Sequence, residues 1–361
     1  MIAVCGKYRT GKSYLLNKLF LNQEDLRGFT VGPSINPCTK GLWLYRHCFY
    51  SPSDTEKQMP IIIIDTEGLG AYDTDENHDT KIFLLGLLMS SFLLFNSVGS
   101  IDENALTNLS LVINLGKQLQ IRQGEQVEDS DLVAKYFPTF FWVLRDFALQ
   151  LRDAQGNQIT QKEYLEMSLK DQKGSSDAIE KKNRIRRYVR NFFQERECFT
   201  LVRPVEEESQ LQSLSKCTDL RPEFVQQIDS LRARILKKVK AKTLDGKLIT
   251  GSMLVELAES YTQAMNKGSV PTIDSAWRYV QKSQINQALE QSLVQFTNAL
   301  KTPLSKEQLK QHQKQALAHF AECTRSFERD KLLEDTQTDL IQKIKQSKRE
   351  AVARNSLEET K

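Results

Sequence analysis

Apolar residues in the first part of this chain gather in short unbroken runs, and in the remainder they recur every three or four positions. The runs are IAVC (Ile2–Cys5), IIII (61–64), FFWVL (140–144) and CFTLV (198–202). A strand with one wet face alternates polar and apolar residues, so runs this uniformly apolar belong to strands covered on both faces. Segments with helical spacing separate them. That alternation predicts βαβ units, a mostly parallel sheet flanked by helices. After about Pro222 glycine and proline thin out. Phe224, Ile228, Leu231, Ile235 and Val239 follow helical spacing, as do Leu254, Leu257 and Tyr261, and then Ile285, Leu289, Leu293, Phe296 and Leu300. Each set marks a helix with one buried face. No strand-like run appears, so the chain from 222 onward is expected to be entirely helical. Pro271 stands between two of these patterns as a helix-start signal. Beyond about Phe327 charges dominate, which fits an exposed helix or a fraying tail. The expectation is an α/β domain over residues 1–218 followed by an all-α domain over 219–361.

Residues 82–98, IFLLGLLMSSFLLFNSV, approach the length of a membrane span. Asp79 and Lys81 precede them, and Ser90, Ser91 and Asn96 interrupt them. They read as a buried helix running into a buried strand, with no transmembrane segment.

Composition narrows the function only slightly. A length of 361 residues allows two or three domains. A net charge of +4 is too small to argue for nucleic acid as a partner without a concentrated basic patch. The six cysteines form no CxxC pair, and with no signal peptide in view they read as reduced thiols of a cytoplasmic protein. Four histidines make a histidine-built metal site an unlikely choice of chemistry.

The most specific motif is Gly6-Lys7-Tyr8-Arg9-Thr10-Gly11-Lys12-Ser13, which fits GxxxxGK[ST], follows a strand and runs into the apolar helical segment 14–20 that opens with Tyr14. Glycines let the backbone approach a phosphate chain, successive N–H groups point at it, and the helix N-terminus adds a favourable dipole. Lys12 brings a point charge to the β- and γ-phosphates, and the Ser13 hydroxyl is a magnesium ligand. Without nucleotide, Lys12 is expected to be a solvated loop charge. Asp65-Thr66-Glu67-Gly68 follows the four isoleucines, so Asp65 is a carboxylate at the end of a buried strand, where a magnesium site beside a phosphate loop needs one. Gly68 can offer its N–H to a γ-phosphate. Between the two motifs lies Thr39, a candidate for a switch threonine that closes over magnesium when γ-phosphate is present. Guanine presents two adjacent donors, which one carboxylate can accept. Asp146, after Arg145 at the end of FFWVL, is the candidate. The N/TKxD pattern of small Ras-like GTPases is absent, so the residues alone leave the base open.

The strings GKYRTGKSYLLNKL, CTKGLW, DTEGLG and PTFFWVLRDF, then EYLEMSLK, CFTLVRPV and PEFVQQI, occur in an order that resembles the guanylate-binding proteins of the dynamin superfamily, with atlastins more distant. The likeness is close to about residue 228 and looser beyond. It implies a P-loop GTPase domain followed by a helical middle domain. It implies that Arg145-Asp146 reads guanine, that the stretch after Arg203-Pro204 caps the base, and that Arg9 is an internal arginine finger, pushed onto its own phosphates by homodimerisation across the nucleotide faces. The catalytic set it implies is Arg9, Lys12, Thr39, Glu67 and Gly68. The activity implied is magnesium-dependent hydrolysis of GTP to GDP, with the further step to GMP left open. Three departures stand out. The family's water-positioning serine falls at Pro37, the chain starts at the phosphate-loop strand, and the helical region stops early without a prenylation box. Pro37 favours an alternative, a nucleotide-gated assembly scaffold with little turnover. A membrane-remodelling GTPase of atlastin type would need a transmembrane hairpin, which residues 222–361 lack; the reading still leaves room for peripheral membrane contact.

Overall fold

The computed structural model describes residues 1–21, 28–32, 38–45, 49–50, 59–71, 76–109, 136–213, 220–269, 272–302, 304–327 and 329–358. Pro37, Cys48, Cys217 and Pro271 lie outside them. The chain divides into two compact units, Met1–Ile249 with Tyr261–Ile273, and Thr250–Ser260 with Asp274–Lys361.

The first unit is built on a six-stranded sheet. Its strands are β1 (Ile2–Cys5), β2 (Leu42–Leu44), β5 (Ile63–Thr66), β6 (Phe92–Val98), β7 (Thr139–Arg145) and β8 (Arg196–Thr200), in the order β2-β5-β1-β6-β7-β8. Every pairing is parallel except β2 on β5. A separate two-stranded ribbon joins β3 (Phe49–Tyr50) to β4 (Pro60–Ile61). Because side chains alternate along a strand, Ile2, Val4, Ile63, Phe92, Leu94, Phe141 and Val143 share one face. There they meet Leu15, Leu16 and Leu19 of α1 (Lys12–Phe20) and Phe224, Ile228, Leu231 and Ile235 of α6 (Pro222–Lys238). On the other face, the bare Gly86 of α2 (Glu76–Met89) lets that helix close on the sheet: a Cβ there would sit 3.2 Å from Cys5 Sγ. Further along that face Phe140 packs on Phe193 at 4.7 Å and Phe95 edge-on to Trp142 at 5.4 Å. The unit also holds α3 (Glu103–Thr107), α4 (Gln161–Ser168) and α5 (Asp177–Phe192). Residues 82–98 form the end of α2 and then β6, divided at Ser90 and Ser91, as the sequence implied. Among the described residues no helix is long and apolar enough to cross a membrane.

The expectation of unbroken helix beyond 222 fails at one place. Thr243–Leu244 and Lys247–Leu248 pair as an antiparallel hairpin, β9 and β10. Its turn is Asp245-Gly246 with φ values of 51° and 73°. Both central residues are left-handed, which is what a two-residue hairpin turn with the right twist requires. The arms are two residues each, so no apolar run announced them.

The second unit is helical. It contains the first part of α7 (Gly251–Asn266), nearly all of α8 (Ile273–Ala299), α9 (Lys306–Cys323) and α10 (Lys331–Glu358). Ser305 starts α9 with a reciprocal capping box to Gln308. The charged last segment is a helix with a buried stripe, Leu333, Leu340, Ile344 and Ala351.

Candidate nucleotide-binding site

In a doubly wound sheet, ligands bind beyond the carboxyl ends of the strands. Here β1, β5 and β7 release the phosphate loop, Asp65 and Asp146 at that same edge. One cleft there is lined by Tyr8, Arg9, Thr10, Gly11, Lys12, Ser13 and Tyr14, together with Thr39, Gly68, Arg145 and Asp146. Of the candidate catalytic, nucleotide-binding and magnesium residues, Gly6, Asp65 and Glu67 are absent from its lining.

The loop is shaped by close backbone approach. A Cβ on Gly6 would lie 2.1 Å from the Asn96 carbonyl oxygen, and one on Gly68 would lie 2.3 Å from Tyr8 Cα. Tyr8 N donates to Leu69 O at 2.9 Å and Leu69 N to Gly6 O at 3.1 Å, so the segment after Gly68 is stitched to the loop. Arg9 and Gly11 are left-handed, with φ of 63° and 75°. Arg9 Nη1 donates to Gly32 O at 3.0 Å, and Thr10 Oγ1 donates to Lys7 O at 2.7 Å. Gly11 is the N-cap of α1 and supplies no capping side chain, so the helix start is suited to an anion. Lys12 is not the solvated charge expected above. It is 6% exposed, its ammonium donates to Lys7 O at 3.3 Å, and burial lowers its pKa, with Asp65 opposing.

Next to Lys12 three oxygens converge. Ser13 Oγ donates to Asp65 Oδ2 at 2.6 Å, Thr39 Oγ1 donates to the same oxygen at 3.0 Å, and the two hydroxyls are 3.4 Å apart. Asp65 is fully buried and its Oδ1 has no hydrogen-bond partner. Burial raises the Asp65 pKa; Ser13, Lys12 and Thr39 pull the other way. Among the described residues no group of three or more His, Cys, Asp or Glu could hold a metal. A cation here would take one carboxylate, hydroxyls, water and phosphate oxygens, the hard set that magnesium prefers. Glu67 turns away from this cluster. Its Oε2 accepts from Gly41 N at 2.8 Å and lies 3.1 Å from His78 Nε2, while Glu67 N donates to Gly41 O at 2.8 Å. It therefore braces the loop that carries Thr39.

At the other end of the cleft, Asp146 has φ 55°, and its Oδ1 is buried without a partner. Asp is among the few residues that tolerate the left-handed region, but a buried unpaired carboxylate oxygen is costly. Arg145 points back under the phosphate loop. Its Nη1 donates to Gly11 O at 3.3 Å, and its guanidinium lies 5.9 Å from the ring centres of both Tyr14 and Phe224. Burial lowers its pKa. Val98 and Leu211 add apolar wall near this end, Leu211 from the stretch after Arg203-Pro204.

Comparison with known proteins fits this geometry. The sequence model described as "Guanylate-binding protein, N-terminal domain" matches residues 1–244, and the one for the C-terminal domain matches residues 245–361. The chain belongs to the guanylate-binding protein family. It is 34% identical to human guanylate-binding protein 7 over 307 residues, 83% of this chain and 47% of the relative. It is 35% identical to human guanylate-binding protein 1 over 305 residues, 82% and 50% respectively. With mouse guanylate-binding protein 7 it shares 32% over 371 aligned residues, 98% and 56%. The chain thus spans about half the length of the curated relatives it matches.

Within this guanylate-binding family chain, sequence reasoning overlooked several cleft residues. Thr30, Val31, Gly32 and Cys38 line it beside Arg9. The Gly32 carbonyl that holds Arg9 lies seven residues before Thr39, but a carbonyl acceptor leaves no signature in residue type. Arg232 is a structural link of the same kind: it donates to Leu19 O, and to Lys18 O at 2.9 Å, tying α6 to the end of α1.

Proposed function

We propose that the cleft binds a guanine nucleotide with magnesium and hydrolyses GTP to GDP, coupled to homodimerisation across the nucleotide faces. The observation that carries this reading is Asp146. Asp146 lines the same cleft as the phosphate loop on a left-handed backbone, and one oxygen of its carboxylate is buried without a partner. Guanine's N1–H and N2–H would satisfy that carboxylate, and adenine would leave it unpaired.

The roles follow from position. Backbone amides of the loop and the start of α1 cradle the phosphates, and Lys12 sheds the cost of its burial when phosphate neutralises it. Ser13, Thr39 and Asp65 would hold magnesium. When bound, that ion neutralises charge on the β- and γ-phosphate oxygens. Gly68 offers its N–H to the γ-phosphate, and Glu67 keeps Gly41, and so Thr39, in register. Arg145 fixes Gly11 from beneath. Arg9 is held at Gly32 in the free chain; dimerisation would release it onto the phosphates, where transition-state charge develops. Free thiols at Cys5, Cys38, Cys198 and Cys323 support a cytoplasmic place of action.

The test is base selectivity. Wild type should bind GTP far more tightly than ATP. Asp146→Asn should weaken guanine binding about 10- to 100-fold and shift preference to xanthine nucleotide, whose carbonyl matches the new donor. Equal binding of ATP and GTP by wild type would end the guanine assignment. Specific activity that does not rise with protein concentration would favour the scaffold reading over a dimer-activated hydrolase.

A further inference from the structure

Asn96 stands near the end of β6, in the middle of the sheet. It interrupts an apolar strand and is fully buried. A buried amide is expensive where a side chain of similar size and no polarity would pack. Its Nδ2 donates to Thr10 O at 2.9 Å and to Thr10 Oγ1 at 2.9 Å, and its Oδ1 has no hydrogen-bond partner. All the hydrogen bonding its side chain does is therefore spent on one residue of the phosphate loop. Its main chain serves the same loop: the Asn96 carbonyl is the atom that leaves Gly6 no room for a Cβ.

Thr10 follows Arg9, which is left-handed and exposed. The Thr10 hydroxyl accepts from Asn96 and donates to Lys7 O. Thr10 and Lys7 thus close a small ring around Tyr8 and Arg9, and Asn96 anchors that ring at Thr10. The remainder of the loop is pinned independently, Gly11 by Arg145 and Ser13 by Asp65. Removing the Asn96 amide takes the β6-side anchor from the arc that carries Arg9, which Tyr8 N to Leu69 O and Arg9 Nη1 to Gly32 O still hold, and leaves the phosphate-cradling helix start in place.

We propose that Asn96 is a positioning residue for Arg9, holding the Lys7–Thr10 arc so that the guanidinium can be delivered in a single geometry. The proposal rests on the hydrolase reading above for its kinetic consequence. Asn96→Asp keeps the shape and takes away the two amide donor hydrogens, leaving at most the single O–H donor of a protonated carboxyl. It should lower kcat at saturating GTP about 10- to 100-fold, the scale for a misplaced catalytic group, while the Kd for GTP changes by less than about threefold. Thr10→Val removes the hydroxyl bridge from the loop side and spares the buried strand. It should show the same split, and adding it to Asn96→Asp should lower kcat little further. If Asn96→Asp does not fold, Thr10→Val carries the same kcat-against-Kd test. A separate arm needs no nucleotide: hydrogen exchange at the amides of residues 8–10 should quicken in both variants, with exchange in β7 unchanged. Parallel loss of kcat and GTP affinity would overturn the proposal by making Asn96 a support of the whole loop. Unchanged kcat would overturn it as well. If wild type neither binds nor hydrolyses GTP, the hydrolase reading fails, and quickened exchange at residues 8–10 still upholds the positioning role; unchanged exchange there overturns it.

Discussion

The two ends of the cleft are built on opposite plans. At the phosphate end the proposed recognition groups are backbone amides, which side chains complete. At the base end the proposed reader is a single carboxylate, Asp146. Both ends use left-handed backbone, at Arg9 and Gly11 in one and at Asp146 in the other. Both also bury charge without full compensation: Lys12 and Asp65 at one end, Arg145 and the Asp146 oxygen at the other. The difference lies in redundancy. In the proposed roles, loss of one phosphate contact leaves several, whereas for the base Asp146 is the one carboxylate assigned among the described residues. The phosphate end should therefore separate binding from catalysis residue by residue, and the base end should not.

The largest expected effect tests that separation. Arg9→Ala removes a guanidinium that is tied to Gly32 in the free chain, outside the ground-state cradle. Hydrolysis should fall about 10³-fold or more, the scale of an arginine finger, with GTP affinity nearly intact. Single-turnover rates together with equilibrium titration check it. A fall in affinity as large as the fall in rate would mean that Arg9 belongs to the cradle. Lys12→Ala should do the reverse, weakening GTP about 100-fold or more by removing a desolvated cation from the phosphates. It should leave the nucleotide-free fold at least as stable as wild type, because the ammonium that is lost was buried at a cost. Isothermal titration and thermal melting give the two readouts, and retained binding by a folded variant would remove Lys12 from the cradle.

How far each end can be read from sequence follows from the same contrast. A phosphate loop needs glycine where the backbone closes on a neighbour, so Gly6, Gly11 and the residues between them spell out their own geometry. Asp146 is one carboxylate after one strand; its place made it a candidate, and the resemblance to the family was needed to assign it to guanine. The βαβ order was legible because buried parallel strands must be apolar throughout, as 61–64 and 140–144 are. The β9–β10 hairpin was missed because arms of two residues carry no periodicity, although Asp245-Gly246 is itself a turn signal. Lys12 was misread as solvated, since its motif fixes what the side chain does and says nothing of its burial. Asn96 interrupts an apolar run, and in sequence an interruption does not reveal the loop it meets. The bracing of Gly41 by Glu67 depends on a tertiary contact 26 residues back along the chain.

The smallest effect concerns the uncompensated charge at the phosphate end. Burial holds the Asp65 carboxyl above the usual aspartate range, more strongly than Ser13, Lys12 and Thr39 can offset. Between the ordinary value, about pH 4, and the raised folded value, the folded chain binds more protons than the unfolded chain. Stability of the nucleotide-free protein must then fall as pH rises through that window. Lys12 acts in the opposite sense at the alkaline end. Its lowered pKa means that the unfolded chain binds more protons there, so its contribution to stability rises with pH up to about 10.4. Asp65→Asn keeps a side chain that can accept from Ser13 and cannot ionise. Its melting temperature should match wild type near pH 4 and exceed it at neutral pH by on the order of a few degrees. Magnesium with GTP should reverse that order, because only the wild-type carboxylate gains a cation partner. A constant offset between the two melting curves at every pH would assign the difference to packing, and the phosphate end would then hold no electrostatic strain for its ligand to relieve.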